Sequence, residues 1–191
     1  MEDAHKKQHI LVVAHTHWDR EWYASFQAFR VRLVDMMDSL LEILRTDPEF
    51  QFTLDGQTVL LEDYLEIRPS RRKELQSYIR RNRVHVGPWY TQCDTRLIHG
   101  ESIIRNLLEG KRIAEDFGGN TKIGYLPDNF GNIGQLPQLL RGFGIDSFIS
   151  GRGIGCDANE FIWEGPDGSE VIGVFQRFGY PTFDLDRPLV S

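Results

Sequence analysis

Residues 10–19 read Ile-Leu-Val-Val-Ala-His-Thr-His-Trp-Asp, and the reading of the fold starts from this run. A short apolar stretch rich in β-branched residues, giving way to alternating polar side chains, predicts a buried strand over 10–14 that delivers functional groups from its C-terminal end. Side chains repeat every two residues along a strand, so the same pattern turns His15, His17 and Asp19 to one side. Imidazole and carboxylate on one face are ligands suited to a divalent metal ion.

Outward from this run, helical and strand-like patterns alternate. Val31, Val34, Met37, Leu40, Leu41 and Leu44 recur at three- and four-residue steps and predict a helix over 26–45. Further helices are expected over 59–67, 71–82, 101–117 and 134–143, with strands over 50–54, 84–86, 123–126 and 147–149. Pro69-Ser70 breaks the chain between two of the helices. The runs 160–163 and 171–175, joined through Gly165-Pro166-Asp167-Gly168, read as a hairpin. Repeated strand–helix units predict an α/β fold with a mostly parallel sheet and helical cover. Function in such folds collects at the C-terminal ends of strands. One sheet edge is therefore expected to carry His15–Asp19, Asp55-Gly56-Gln57, Gly87-Pro88-Trp89-Tyr90, Pro127–Gly131 and Ser150-Gly151-Arg152.

The 191 residues suffice for one good core, and the formal net charge of −6 argues against a nucleic-acid partner, which needs clustered Lys and Arg. The short basic runs Arg71-Arg72-Lys73 and Arg80-Arg81 read as solvated helix faces. Cys93 and Cys156 form neither a disulfide framework nor a CxxC pair. The chain shows no signal-peptide pattern and no apolar run of membrane-spanning length, so a cytoplasmic setting away from membranes is expected. Residues 182–191 read as the interior of a larger protein rather than a finished terminus, so 1–191 is expected to be a portion of a longer chain.

His17 and Asp19 are the strongest candidate ligands; the plainer alternative is a structural histidine beside a helix-capping aspartate. His15 shares their predicted face but also fits a supporting role. Asp128 could cap the helix that follows it. Alternatively, with Pro127 stiffening its approach and Gly131 allowing close backbone passage, it could bring a third donor to the same edge. Three such donors would leave a divalent ion with open positions, as a catalytic site requires. Trp22, Trp89 and Phe130 have core packing as their ordinary explanation, and for Trp89 it is preferred. Trp22, among charged neighbours, could present a ring face to a sugar. Arg152 could orient a neighbouring carboxylate.

Four segments in order, HTHWDREWY (15–23), GPWYTQCDT (87–95), ESIIRNLLEGKR (101–112) and YLPDNFGNIGQLPQLL (125–140), resemble the N-terminal catalytic domain of glycoside hydrolase family 38, the α-mannosidases. The likeness runs from about Ile10 to Val174 and is strongest to the bacterial branch that includes mannosylglycerate hydrolases. It implies a seven-stranded β/α barrel-like domain with helices on both faces, cut short of the family's C-terminal domains. It also implies one zinc ion held by His17, Asp19 and Asp128, with Asp128 as the nucleophile of a retaining α-mannosidase. Trp22 and Phe130 would line the mannose subsite, with Arg152 beside the nucleophile and Asp94 facing the pocket. The implied substrate is an α-mannoside, mannosylglycerate or its phosphorylated form among the candidates, and the implied full-length protein is a homo-oligomer. The family's acid/base carboxylate and a fourth ligand, a histidine, come from farther along the sequence; His99 is not at a matching position. The competing readings are a metallohydrolase built on His15-Thr16-His17 and a sugar-binding remnant without activity.

Overall fold

The computed structural model describes residues 12–119, 121–155 and 157–177. Helix α1 (Phe26–Thr46) buries Leu33, Met37, Leu40, Leu41 and Leu44 at helical spacing. It stops where Asp47 turns extended, since the following Pro48 disfavours helical geometry in the residue before it. Helix α2 (Val59–Ile67) ends likewise before Pro69, and Pro69–Arg71 forms a 3-10 turn leading into α3 (Arg72–Arg80). The helix expected over 71–82 is thus shorter and begins with that turn. Helix α4 (Gly100–Phe117) starts with the His99 ring accepting from the Glu101 N–H at 3.3 Å and ends at Gly118 in the left-handed conformation. Helix α5 (Leu136–Gly142) follows a longer loop than expected, so Asp128 does not cap it.

The strands are short. β1 (Phe52–Thr53) pairs in parallel with β2 (Val84–His85), Phe52 opposite Val84. A second sheet has the order β3 (Ile123–Tyr125), β4 (Ser147–Ser150), β6 (Glu170–Phe175), β5 (Glu160–Glu164). Its first three strands are parallel, and β5 is antiparallel to β6, forming the expected hairpin. The Thr121 N–H donates to the Val86 carbonyl at 2.9 Å and joins the end of β2 to the approach of β3. The architecture is therefore mixed α/β with parallel elements and helical cover.

The strand expected over 10–14 is not formed among the described residues 12–14, and residues 10 and 11 lie outside them. Only His15 pairs, in parallel with Thr53, beside a 2.9 Å hydrogen bond from the Thr53 N–H to the Ala14 carbonyl. Val12 and Val13 are 59% and 66% exposed, so the segment is not buried. The reason is one-sided cover. α1 to α4 pack with Leu54, Val84 and Val86 in one core, while Val12, Val13, Thr53, Ile123 and Ile149 line an open cavity of about 320 Å³.

Two apolar clusters support the edge that carries the polar loops. The first joins α1, α2, α3 and part of α4 to β1 and β2. The second gathers Trp89, Ile103, Leu107, Leu126, Leu140 and Phe148 under the second sheet. Gly110 lets α4 lie directly on the 88–90 backbone, since a Cβ there would overlap the Pro88 carbonyl and the Trp89 main chain.

Candidate functional site

The chain leaves the β1 pairing just after His15. The Trp18 N–H then donates at 2.7 Å to a side-chain oxygen of Asp55 rather than to a backbone carbonyl. That departure ends the two-residue alternation. His15 lines the 320 Å³ cavity, its ring edge-on to Tyr125 at 6.4 Å, whereas His17 goes to the opposite group. The expectation of His15, His17 and Asp19 on one side is corrected accordingly, and His15 is not part of the ligand cluster.

His17, Asp19 and Asp128 do converge. Nε2 of His17 lies 3.8 Å from Asp19 Oδ1 and 3.6 Å from Asp128 Oδ2, and one donor atom from each of the three lies within 4.8 Å of the others. Two carboxylates and one imidazole are a donor set that suits zinc and leaves positions open. Burial disfavours the charged His17 ring, but the carboxylates of Asp55, Asp19 and Asp128 outweigh it and raise the ring above its ordinary value. So concentrated a negative field calls for a positive charge, whether a proton or a cation.

The second sheet supplies the other wall. Asp128 follows β3, and Arg152 follows β4. The Arg152 guanidinium pairs with Asp128 Oδ1, and its Nε donates to the Asp128 carbonyl at 2.7 Å. The same guanidinium lies 4.2 Å over the Phe130 ring. Asp128 therefore uses one oxygen for Arg152 and turns the other toward His17. The backbone of Gly131 passes so near Gly153 that a Cβ on Gly153 would sit 2.8 Å from the Gly131 Cα. Asp94 accepts from the Phe130 N–H at 3.3 Å and the Arg96 N–H at 3.2 Å, so it orders this loop.

Trp22 and Phe130 are 74% and 76% exposed, free of the core that would explain them otherwise. Trp89 is fully buried, as its core reading requires. Burial pushes the Cys93 thiol up to about 11, which makes it a poor nucleophile; Cys156 lies outside the described residues, as do residues 182–191. Beside the cluster is a cavity of about 490 Å³ lined by His17, Asp19, Arg20, Gln57, Thr91 and Gln92 among others. Arg20, on its wall, is fixed by a bidentate pair with Asp63, at 2.7 and 2.8 Å.

Sequence reasoning placed Asp55-Gly56-Gln57 on the correct edge but assigned it no role. Asp55 is wholly buried with its carboxylate 3.4 Å from His17 Nδ1, while Gln57 and Gln92 both donate to it. An acidic residue directly after an apolar run was the available signal, but its burial is a tertiary property.

Residues 7–187 match the family model described as glycosyl hydrolases family 38 N-terminal domain. A Halalkalibacterium halodurans protein called "Putative mannosylglycerate hydrolase" is 45% identical over 85% of this chain and 20% of its own length. The human "Alpha-mannosidase 2C1" is 30% identical over 87% of this chain and 17% of its own. The crystal structure of an alpha-mannosidase from Enterococcus faecalis V583 superposes with a TM-score of 0.83 at 37% identity, over 85% of this chain and 19% of that one. The chain thus spans about a fifth of the length of these relatives. No helix among the described residues is long and apolar enough to cross a membrane.

Proposed function

The chain belongs to glycosyl hydrolase family 38, as its N-terminal domain, and on that footing we propose that it carries the metal and nucleophile half of a zinc-dependent retaining α-mannosidase. The observation that carries the reading is the meeting of His17, Asp19 and Asp128 beside the exposed Phe130 ring, which lies under the guanidinium paired with Asp128. Zinc held by these three residues would supply a Lewis-acid grip on neighbouring sugar hydroxyls.

Asp128 is the proposed nucleophile. Its carboxylate attacks the anomeric carbon and forms a mannosyl ester while the leaving oxygen takes a proton from a second carboxylic acid. Water then breaks the ester with that second group as base, and the two inversions give net retention. The two carboxyl groups of a retaining pair stand about 5 to 5.5 Å apart. We assign the second carboxyl, with a fourth ligand that is a histidine, to the part of the relatives' length that this chain does not span. Arg152 holds Asp128 at one oxygen and at its carbonyl, and so sets the rotamer from which the other oxygen reaches inward. Trp22 and Phe130 present ring faces to the C–H side of the sugar, and Asp94 keeps the Phe130 loop in place.

The substrate class is terminal α-linked mannose, with mannosylglycerate the first candidate because the 45% identical relative bears that name. The setting proposed is cytoplasmic and the full-length assembly homo-oligomeric, as the sequence suggested. General acid–base help is worth about 10² to 10⁴ in rate, so the 191-residue chain alone should turn over slowly if at all. An activated, fluorinated mannosyl fluoride needs little acid assistance, and a mass adduct on the peptide containing Asp128 in zinc buffer is the expected result. Calorimetry should also show one zinc site. No adduct together with no zinc uptake would remove this reading.

A further inference from the structure

We propose that Asp55 is the positioning residue for His17: its carboxylate accepts the Nδ1 proton and so directs the bare Nε2 into the space shared with Asp19 and Asp128. The role rests on the metal-site reading above. A neutral imidazole ligates only through the nitrogen that lacks the proton, and the partner of the other nitrogen decides which one that is. Here the two nitrogens face different groups, Nδ1 toward Asp55 Oδ1 at 3.4 Å and Nε2 toward Asp19 and Asp128.

The surroundings of Asp55 explain why it must be an acceptor at both oxygens. A buried carboxylate is costly unless hydrogen-bonded on all sides. Its Oδ2 takes the Trp18 N–H and the Gln57 Nε2, each at 2.7 Å. Its Oδ1 takes the Gln92 Nε2 at 3.1 Å, and that amide also donates to the Asp55 carbonyl at 2.7 Å. The Gln57 amide cannot readily turn round, because its own oxygen accepts from the Thr91 hydroxyl at 2.9 Å and the Gln92 N–H at 3.0 Å. The backbone of Asp55 sits at φ +40°, a left-handed conformation that aspartate tolerates better than most residues and that the network holds in place. Segments following three different strand positions therefore converge on one carboxylate, and that carboxylate faces the side of His17 away from the other two acids.

The arrangement makes a sharp prediction for Asp55→Asn, which preserves shape. The donors at Oδ2 are the closer pair, each at 2.7 Å, and one is a main-chain N–H that cannot turn round, so the asparagine oxygen stays there and its NH2 takes the Oδ1 position. Gln92 keeps its bond to the carbonyl. The His17 ring then meets a donor at Nδ1, and its proton must move to Nε2, the nitrogen needed for the metal. Nitrogen NMR of ¹⁵N-histidine-labelled, metal-free chain at alkaline pH should show His17 as the Nδ1–H tautomer in the wild type and as Nε2–H in D55N. Zinc affinity of D55N, measured by competition with a chelating dye, should fall about 10- to 100-fold, with circular dichroism reporting an intact fold.

A wild-type ring protonated at Nε2 overturns the proposal and needs no variant to be seen. So does a folded D55N with unchanged tautomer and zinc affinity, an outcome that leaves the metal reading standing. A wild type that holds the proton on Nδ1 and loses it to Nε2 in D55N, yet takes up no zinc, supports the positioning role while removing the metal reading.

Discussion

The two sides of the site are held in different ways. On the side built from α1 to α4, His17 rests against a fully buried carboxylate pinned by donors from Trp18, Gln57 and Gln92. On the side built from the second sheet, Asp128 is held by Arg152, and the two side chains are 34% and 44% exposed. A buried charge must be fully paired or it is expelled, whereas an exposed pair is screened and its partners exchange readily with water. The first side is thus set before any ligand arrives, and the second retains freedom to adjust. Under the proposed function, that division suits a site in which His17 would only hold a metal while Asp128 would also reach a sugar.

The largest expected effect tests whether the first side owes its rigidity to its core. Leu41→Ala removes a fully buried side chain between α1 and its neighbours, and denaturant unfolding should register a loss of about 2–5 kcal/mol. Truncation of Ile162, 62% exposed on the outer face of the hairpin, should stay within about 0.5 kcal/mol. Comparable losses at the two positions would break the contrast.

Next comes the cluster itself. His17→Ala should reduce zinc affinity more than 10²-fold, on the order of 2.7 kcal/mol, because it deletes a donor that cannot be replaced from the same element. Arg152→Ala should cost about fivefold or less, and the loss should shrink further in high salt. If Arg152→Ala weakened zinc binding as much as D55N, the adjustable side would have to be reinterpreted as equally preset.

The smallest effect concerns pH. Although burial lowers it, the His17 ring is raised overall above its ordinary value of 6.5 by the carboxylates around it. A folded value above the unfolded one contributes stability that is fully present below the unfolded value and is lost as pH rises through the folded one. Metal-free chain should therefore melt at a modestly lower temperature as pH climbs from about 6.5 past neutrality, and His17→Gln should flatten that slope. Zinc should show the opposite trend, binding more tightly as the ring gives up its proton.

Much of this organisation was legible from local patterns. The spacing of Met37, Leu40, Leu41 and Leu44 marks the buried face of α1, and Gly165-Pro166-Asp167-Gly168 marks the hairpin turn. The apolar run over 12–14 was misleading because apolar residues predict burial only where something covers both faces, and here one face opens on a cavity. Alternation also failed at His15, since it holds only while the backbone stays in the ladder and Trp18 bonds to a side chain instead. Asp55 was placed on the right edge but given no role, because an acidic residue after a strand looks the same in sequence whether it faces water or the underside of a histidine.

By itself the amino-acid order determined the helices, the turns and the kinds of donor available, because these follow from spacing and side-chain chemistry within a few residues. Only the tertiary structure decided that His17, Asp19 and Asp128 share one space, that His15 does not, and that a buried carboxylate stands behind the ring. Those outcomes depend on which distant strand ends are brought together and which faces are covered. Local periodicity carries no information about either.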